Sequence, residues 1–257
     1  MIKKRIIPLI LIKNDNLIYK GTNFNCWRSV GNFINILSIY NKREIDELLL
    51  IDISATENNR LIDHNIVKHA AANFNMPLTV GGGIKSIDDA SKLFRFGADR
   101  LCINSSSYEN PKLIKQICEK FGRQALIVSI DYKKIDNEYY CFSNNCKINT
   151  NIKVLDWINE IKKYGCGEIL LTSYEKEGLL RGMDIEFLMK NHKELDLSVI
   201  FGGGAGTPSH IIDALKFKNV NAVSIGSLLP FTRYTPNEIK KECHKQNIKI
   251  RLNKIKN

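Results

Sequence analysis

The sequence TVGGGI at residues 79–84 and the sequence IFGGGA at residues 200–205 repeat one pattern, a short apolar run that ends in three glycines. An apolar run followed by glycines indicates a buried strand whose backbone then turns sharply. Glycines in such a turn let backbone N–H groups approach a ligand closely, and phosphate commonly uses them. A tight turn alone would explain either triplet, but two copies in matching context favour two phosphate cradles.

The two triplets lie 121 positions apart, which is close to half of the 257-residue chain. The same spacing separates the sequence DELLL at residues 46–50 from the sequence GEILL at residues 167–171. The repeat therefore predicts a duplicated single-domain protein, with one half at about residues 1–121 and the other at about residues 122–245.

Strand-like apolar runs recur eight times and alternate with helix-like stretches, two of which follow the capping residues Ser86 and Thr207. Strands that alternate with helices and are buried on both faces indicate a parallel sheet. The length also matches the about 250 residues of a (β/α)8 barrel. We predict a closed α/β TIM barrel with an internal two-fold half-barrel repeat; a doubly wound open sheet is the alternative. The predicted strands lie at residues 6–11, 47–53, 77–80, 100–104, 125–131, 168–172, 198–201 and 222–225.

In such a barrel the C-terminal ends of the strands form the active face. The glycine triplets end the third and seventh predicted strands, and small polar residues end the fourth and eighth. One phosphate is therefore expected over strands three and four and another over strands seven and eight, which predicts a substrate with a phosphate at each end. The predicted phosphate-binding residues are Gly82, Gly83, Asn104 and Ser105 in the first half, and Gly203, Gly204, Gly226 and Ser227 in the second.

Composition argues against several classes of protein. No apolar run approaches the roughly 18 residues of a membrane span, and the N-terminus lacks the features of a signal peptide. The seven cysteines form no CxxC pair, so we expect a reduced cytoplasmic protein without a metal site or a cofactor. The net charge of +11 lacks the interleaved basic and aromatic residues of a nucleic-acid groove; phosphorylated substrates or an acidic partner explain it at least as well.

Nearly the whole chain resembles the cyclase subunit of imidazole glycerol phosphate synthase, the barrel partner of a glutaminase. The resemblance implies a reaction in which ammonia made by the glutaminase is used to cleave and cyclise a ribulosyl-formimino nucleotide that carries two phosphates. The motifs that carry the resemblance are KRII at residues 4–7, KGTNF at 20–24, IDEL at 45–48, DI at 52–53, VGGGI at 80–84, GADR at 97–100, IN at 103–104, ENP at 109–111, ID at 130–131, GEILLTS at 167–173 and GGGAG at 202–206.

The resemblance also implies roles for individual residues. In the family two aspartates, at the ends of strands one and five, act as general acid and base, and the second of them matches Asp131. A carboxylate that closes an apolar strand on the active face suits proton transfer; a helix cap or an ion-pair partner for Lys133 is the alternative. Lys20, in the KGTNF motif, is expected to contact the substrate. So is Glu177, in the strand-six loop where the family has the sequence DGT and this chain has EGL.

Two positions depart from the family. Leu11 stands where the family has the strand-one aspartate, and Leu179 stands where it has a threonine in the strand-six loop. Because leucine can neither donate nor accept a proton, the rate of the family's reaction should fall by a factor of about 10²–10⁴. Asp15 cannot simply substitute, since it lies in the loop after the strand.

Charged residues stand just before four predicted strands, namely Arg5, Glu47, Arg100 and Glu168. Because buried charges persist only when paired, two positive and two negative groups at one barrel mouth could close a ring of ion pairs. Four unconnected surface charges are the alternative. The resemblance implies that these residues form a gate for ammonia from a glutaminase docked at the N-terminal face, and that Asp99 faces this partner.

Three functions follow from these features. The retained gate and Leu11 together favour a branch of the family in which ammonia serves to amidate a sugar, in amidino or acetamidino modification of surface polysaccharides. The alternatives are a genuine cyclase of histidine biosynthesis that tolerates Leu11, and a barrel that only activates the glutaminase. The segment at residues 136–150 is either an active-site lid or a flexible hairpin.

Overall fold

The computed structural model describes residues 3–13, 15, 17–43 and 45–252. Eight parallel strands close into a ring, in the order β1, β4, β5, β6, β7, β10, β11, β12 and back to β1. This confirms the predicted TIM barrel and excludes the open sheet. In chain order the strands are β1 (Arg5–Ile12), β2 (Leu17–Thr22), β3 (Asn25–Asn32), β4 (Leu48–Asp52), β5 (Leu78–Gly81), β6 (Arg100–Ile103), β7 (Leu126–Ile135), β8 (Glu138–Ser143), β9 (Ile148–Lys153), β10 (Glu168–Ser173), β11 (Ser198–Gly202) and β12 (Val220–Ile225).

Helices connect the barrel strands, and their starts follow the predicted caps. The Ser86 side chain accepts a hydrogen bond from the Asp89 backbone while the Asp89 carboxylate accepts one from the Ser86 backbone, and Thr207 caps the helix that begins with Pro208. No helix in the described ranges is long and apolar enough to cross a membrane. The helices are α1 (Phe33–Lys42), α2 (His64–Asn73), α3 (Ile87–Arg95), α4 (Ser105–Glu109), α5 (Lys112–Phe121), α6 (Val154–Lys163), α7 (Ile185–Asn191), α8 (Pro208–Leu215), α9 (Leu228–Phe231) and α10 (Pro236–Lys245), with a 3-10 turn at Arg123–Ala125.

The hydrophobic core has two layers because each barrel strand buries both faces. Side chains that point outward from the strands pack under the helices and form the larger layer. Side chains that point inward fill the barrel with a smaller apolar cluster and separate its two mouths. This inner cluster consists of Ile7, Leu49, Cys102, Ile127, Leu170, Ile200 and Ala222, flanked by Leu9 and Ile51.

Two antiparallel hairpins extend the barrel strands at the active face. The hairpin β2–β3 follows β1, and the hairpin β8–β9 follows β7. The fifth predicted strand stopped at residue 131, whereas β7 runs to Ile135 because its second half pairs with β8 from Asp131 opposite Phe142 to Ile135 opposite Glu138. Tyr139 and Cys141 of β8 are buried. Most of the segment at residues 136–150 is therefore a packed hairpin.

A buried ion pair fastens the last helix to the first strands. The Lys240 ammonium on α10 lies 2.7 Å from the Asp46 carboxylate, and both side chains are almost completely buried. The other oxygen of Asp46 accepts a hydrogen bond of 3.0 Å from the backbone of Ile6. Since a buried charge is tolerated only when it is paired, this contact fixes α10 against β1 and the start of β4.

Candidate active site

The carboxyl ends of the barrel strands surround a pocket that Asp131 on β7 and Leu11 on β1 both line. A smaller pocket adjoins it among the loops after β10, β11 and β12. Glu177, in the loop after β10, lines both pockets and so connects them. The structure brings the predicted site residues together here: Gly82, Gly83, Asn104 and Ser105 line the first pocket, and Gly203, Gly204, Gly226 and Ser227 line the second.

The first glycine turn has a backbone that only glycine fits. Gly82 and Gly83 have φ angles of 120° and 70°. Residues other than glycine rarely adopt this region of backbone conformation. A Cβ atom on Gly83 would lie 1.8 Å from the carbonyl oxygen of Arg60. Beside this turn, the Asn104 side chain donates a hydrogen bond of 3.1 Å to the carbonyl oxygen of Ser129. The turn and Asn104 form an open cradle lined by backbone and amide groups.

The second glycine turn repeats this geometry. Gly203 and Gly204 have φ angles of 94° and 86°. A Cβ atom on Gly204 would lie 2.1 Å from the carbonyl oxygen of Gly182, whose own N–H donates to the Gly204 carbonyl oxygen at 2.9 Å. Gly226 lies beside the substrate-contact candidate Lys20, since a Cβ atom there would lie 3.3 Å from the Lys20 Nζ atom.

Lys20 and Glu177 have opposite charges and lie near the border of the two pockets; Lys20 is buried, and Glu177 is half-buried. Lys20 is 3% exposed, and its ammonium donates to the carbonyl oxygen of Leu9. Burial lowers the pKa of Lys20, and the Glu177 carboxylate opposes that shift only in part. Burial likewise raises the pKa of Glu177, against the effect of Lys20. The pKa values of both side chains are thereby shifted towards neutral pH, and groups with such pKa values exchange protons readily.

Asp131 is a buried carboxyl group on β7, at the point where the barrel part of the strand passes into the hairpin with β8. Burial raises the pKa of Asp131 to about 8, and the nearby Glu177 carboxylate adds to the shift. The Asn104 side chain donates a hydrogen bond of 3.2 Å to one Asp131 oxygen. Neither a helix cap nor an ion pair with Lys133 engages Asp131 among the described residues; the Lys133 ammonium lies over the rings of Phe142 and Tyr174. A carboxyl group with this pKa is largely protonated at pH 7 and can serve as a general acid.

Leu11 occupies the opposite wall of the first pocket. It is 8% exposed and pairs with Ile51 of β4 and Tyr19 of β2. In the ring of eight strands, β1 and β7 lie four strands apart, so Leu11 faces Asp131 across the barrel. Asp15 does not line the pocket; its carboxylate accepts hydrogen bonds from the Tyr19 hydroxyl at 2.7 Å and from the Leu17 backbone at 3.1 Å.

The hairpin β2–β3 leans over the same face of the barrel. The backbone N–H of Asn23 donates to the carbonyl oxygen of Glu177 at 3.0 Å, and its side chain donates to the carbonyl oxygen of Tyr174 at 2.7 Å. The rings of Phe24 and Tyr174 stack with their centroids 6.2 Å apart, and Trp27 also lines the pocket. Residues 20–24 supply a family motif and the predicted contact Lys20, but the hairpin β2–β3 was not predicted from the sequence.

The opposite mouth of the barrel carries a closed ring of ion pairs. Arg5 contacts Glu47 at 2.7 Å and also contacts Glu168, while Arg100 contacts Glu47 at 3.1 Å and Glu168 at 2.6 Å. The alternative of four unconnected charges is therefore wrong. Burial alone would raise the pKa of Glu168, but the two guanidinium groups outweigh it and hold that pKa below its usual value. Asp99 is exposed at this mouth, and its carboxylate accepts a hydrogen bond of 2.8 Å from the Leu78 backbone.

The side chains of the site suit organic acid–base chemistry. Within the described ranges, no three His, Cys, Asp or Glu side chains are grouped so that they could hold a metal ion. The seven cysteines are free thiols, and Cys141 and Cys146 are both buried in the hairpin β8–β9.

The fold and the site define a class of protein: a (β/α)8 barrel with two matching glycine turns, in two adjoining pockets on the active face, and a buried carboxyl group in one of those pockets. Residues 5–235 match the family model described as "Histidine biosynthesis protein". The chain is 39% identical to the imidazole glycerol phosphate synthase subunit HisF of Staphylococcus saprophyticus, over 98% of this chain and 100% of that protein. It is 38% identical, with the same coverage, to the protein of that name from Staphylococcus aureus strain JH9. The chain belongs to this HisF-like family.

Proposed function

We propose that the chain is the cyclase subunit of an imidazole glycerol phosphate synthase and uses ammonia from a glutaminase. The observation that carries the proposal is the placement of three groups around one barrel. The glycine turns follow β5 and β11, which lie four strands apart, and Asp131 lies on β7, midway between them, where the barrel part of that strand passes into the hairpin with β8. A substrate with a phosphate in each turn would have its middle beside Asp131. The names of the relatives agree with this assignment.

The proposed chemistry divides the work between three side chains. Asp131 is protonated at neutral pH and donates a proton to the reacting middle of the substrate. Lys20 and Glu177, close to the second glycine turn, accept and return protons at that end of the pocket. The phosphates are bound by the two turns together with Asn104, Ser105 and Ser227. Fixed in this way at both ends, the substrate presents its reacting atoms to groups whose pKa values burial has brought towards neutral pH.

In the proposal ammonia enters at the ion-pair ring and crosses the barrel. Arg5, Glu47, Arg100 and Glu168 surround the N-terminal mouth, and the apolar inner cluster lies between them and Asp131. Apolar walls admit neutral ammonia more readily than the ammonium ion, whose burial is costly. The exposed Asp99 carboxylate supplies a polar contact at this mouth for the docked glutaminase.

Replacement of Arg100 by alanine tests the gate. We expect the free energy of unfolding to fall by about 1–3 kcal/mol, because two buried glutamates each lose a charged hydrogen-bond donor. We also expect glutamine-dependent turnover of the reconstituted complex to fall relative to turnover with an ammonium salt, since the mouth loses its defined opening. Both rates would be measured at several concentrations of the glutaminase subunit. Arg95→Ala, an exposed change on α3, is the control. An unchanged ratio of the two rates would contradict the gate.

A second candidate function is favoured by Leu11. The side chain that faces Asp131 across the pocket is apolar and buried, so the acid–base pair of the family's reaction is incomplete in this chain. An ammonia-delivering barrel with another acceptor, as in the amidation of a sugar for surface polysaccharides, would not need that pair. The ion-pair ring would serve either function equally.

One experiment separates these two functions. The purified chain would be incubated with the doubly phosphorylated ribulosyl-formimino nucleotide and an ammonium salt, beside the variants Leu11→Asp and Leu11→Asn. If the chain is a cyclase, we expect slow turnover that Leu11→Asp raises by about 10²-fold or more, whereas Leu11→Asn, which has similar size but no acid, leaves it unchanged. A folded wild-type chain without turnover, with activity gained only in Leu11→Asp, would assign the ammonia to another acceptor. If all three folded chains are inactive yet stimulate a glutaminase, the chain is an activator.

A further inference from the structure

Hydroxyl groups support both carboxylates of the ion-pair ring from outside the ring. Thr79 on β5 donates a hydrogen bond of 2.7 Å to one oxygen of Glu47. Ser198 on β11 donates a hydrogen bond of 2.6 Å to one oxygen of Glu168. Since each glutamate also contacts both arginines of the ring, each carboxylate is held by two guanidinium groups and by one hydroxyl group of a neighbouring strand.

The support of Glu168 extends one residue further, towards the surface of the barrel mouth. The side chain of Asn221, near the start of β12, donates a hydrogen bond of 2.9 Å to the hydroxyl oxygen of Ser198. Ser198 lies directly beside Glu168, because the two residues are partners in the parallel pair β10–β11. Ser198 and Asn221 are both half-buried, whereas Thr79 is completely buried. A chain of hydrogen bonds thus runs from Asn221 through Ser198 to the ion-pair ring.

The chemistry of the three groups fixes the direction of this chain. Burial opposes the ionised form of Glu168, but the two guanidinium groups and the Ser198 hydroxyl outweigh burial and hold the pKa of Glu168 below its usual value. An ionised carboxylate can only accept hydrogen bonds, so Ser198 must use its single proton for Glu168. The oxygen of Ser198 then accepts from a neighbour, and the side-chain NH₂ group of Asn221 is that donor. Asn221 therefore orients the hydroxyl group, and the hydroxyl group orients the carboxylate.

The arginines and Ser198 attract the Glu168 carboxylate in different directions. Glu47 and Glu168 stand at the starts of β4 and β10, which lie four strands apart in the ring of eight. The guanidinium groups that contact both glutamates therefore lie between opposite sides of the mouth and draw the carboxylates towards its centre. Ser198 lies on the strand next to Glu168, so its hydrogen bond draws the carboxylate towards the rim. The position of this carboxylate is set by opposing contacts.

We propose that Ser198 and Asn221 are positioning residues of the gate, which hold the Glu168 carboxylate at the rim and keep the mouth open to ammonia. The inference rests on the ammonia route of the proposed function and adds two residues, on β11 and β12, to that route. When the hydrogen bond from Ser198 is lost, the carboxylate moves towards the guanidinium groups and the mouth narrows. Part of the ammonia that the docked glutaminase releases then escapes to solvent before it crosses the barrel.

The complex reconstituted with the glutaminase subunit tests this role through the number of glutamate molecules released per molecule of cyclised product. The variants are Ser198→Ala and Asn221→Ala, with Ser198→Thr to retain a hydroxyl group and Ser209→Ala, an exposed change on α8, as the control. We expect the ratio of glutamate to product to rise by about threefold to tenfold in Ser198→Ala, because a hydrogen bond to a charged group is lost. Asn221→Ala should raise the ratio by less. Ser198→Thr and Ser209→Ala should keep the wild-type ratio.

Turnover with an ammonium salt separates this role from a structural one. It needs no ammonia from the partner-facing mouth, so we expect it to stay unchanged in every variant. Equal losses of glutamine-dependent and ammonium-dependent turnover in Ser198→Ala would mean that the contact only stabilises the fold, and the inference would be overturned. A wild-type ratio of glutamate to product in Ser198→Ala would overturn it too, and a wild-type ratio in Asn221→Ala would remove Asn221 from the gate.

Two further outcomes are also decisive. If the wild-type complex forms no product from glutamine or from ammonium, the proposed cyclase function fails, and the inference falls with it. Circular dichroism and the melting temperature show whether each variant is folded. If Ser198→Ala does not fold, Asn221→Ala decides by the same ratio, because its side chain lies at the half-buried end of the hydrogen-bond chain and does not touch the ring.

Discussion

The variant Asp131→Asn is expected to lose cyclase turnover by about 10²–10⁴ in kcat, because asparagine has the shape of the aspartate but cannot transfer a proton. Asp131 is buried and accepts a hydrogen bond from Asn104, an interaction that the neutral side chain of asparagine can also make. The fold therefore does not require a negative charge at this position. The affinity for a doubly phosphorylated ligand should therefore change little. Turnover with an ammonium salt measures kcat, and titration with the doubly phosphorylated ligand measures the affinity.

The pH dependence of this activity follows from the same carboxyl group. The pKa of Asp131 lies at about 8 because of burial first and Glu177 second, so the group can act as a general acid below pH 8. We expect kcat to fall as the pH rises through about 8. The control variant Asp136→Asn changes an exposed aspartate of the same hairpin and should keep the wild-type profile. A profile that is flat through pH 8 would show that Asp131 does not supply the proton.

The raised pKa of Asp131 also has a consequence for stability. The folded state holds a proton on Asp131 that the unfolded state releases near its usual pKa of 3.8. Between about pH 4 and pH 8 the folded state thus binds more protons, and the contribution of this group to stability falls as the pH rises. Thermal unfolding should show Asp131→Asn gaining on the wild-type chain across that window. A constant difference in melting temperature from pH 5 to pH 8 would contradict the raised pKa.

The variant Gly83→Ala is expected to lower the free energy of unfolding by about 3 kcal/mol or more, the largest stability effect of any change considered. The backbone has a φ angle of 70°, which an alanine adopts only with strain, and the new Cβ atom would overlap the Arg60 carbonyl oxygen at 1.8 Å. Because that oxygen belongs to the backbone, the glycine turn itself must shift. Phosphate binding should be lost with it.

Gly165→Ala is the matched control for that prediction. Gly165 also has a positive φ angle, of 92°, but a Cβ atom there would lie 3.5 Å from the Cys118 Cβ atom, an ordinary contact. Its cost should therefore be the backbone strain alone, about 1–2 kcal/mol. Urea unfolding of both variants measures the difference. Equal losses in the two variants would mean that the close approach of the Arg60 carbonyl oxygen to Gly83 is unimportant.

The barrel and much of the site could be predicted because their signals are local. A short apolar run indicates a buried strand, and a glycine at its end indicates a turn with a positive φ angle. Gly83 and Gly204 could therefore be recognised without knowing which residues contact them in the fold. Charges at strand starts, such as Arg5 and Glu168, were recognisable because a barrel mouth brings all strand starts together. The strand ends then differed from the predicted ones by only a few residues.

The remaining features depend on contacts that no short stretch of sequence records. Asp46 and Lys240 lie far apart in the chain, and neither residue type predicts a buried ion pair. The hairpin β8–β9 is rich in asparagine and lysine, which indicates turns and solvent exposure, although its inner face buries Tyr139 and Cys141.

The pair of Lys240 and Asp46 also bears on how the two halves of the barrel depend on each other. Lys240 belongs to the second predicted half and Asp46 to the first, and the parallel pairs β6–β7 and β12–β1 join the two predicted halves. The ion-pair ring crosses the same boundary, since Glu168 contacts Arg5 and Arg100 of the other half. We therefore expect the two fragments of a chain cut once between residues 121 and 122 to remain associated. Either half alone would expose unpaired strand edges and would leave Lys240 or Asp46 without its partner in this ion pair. We therefore expect the two predicted halves to require each other for stability.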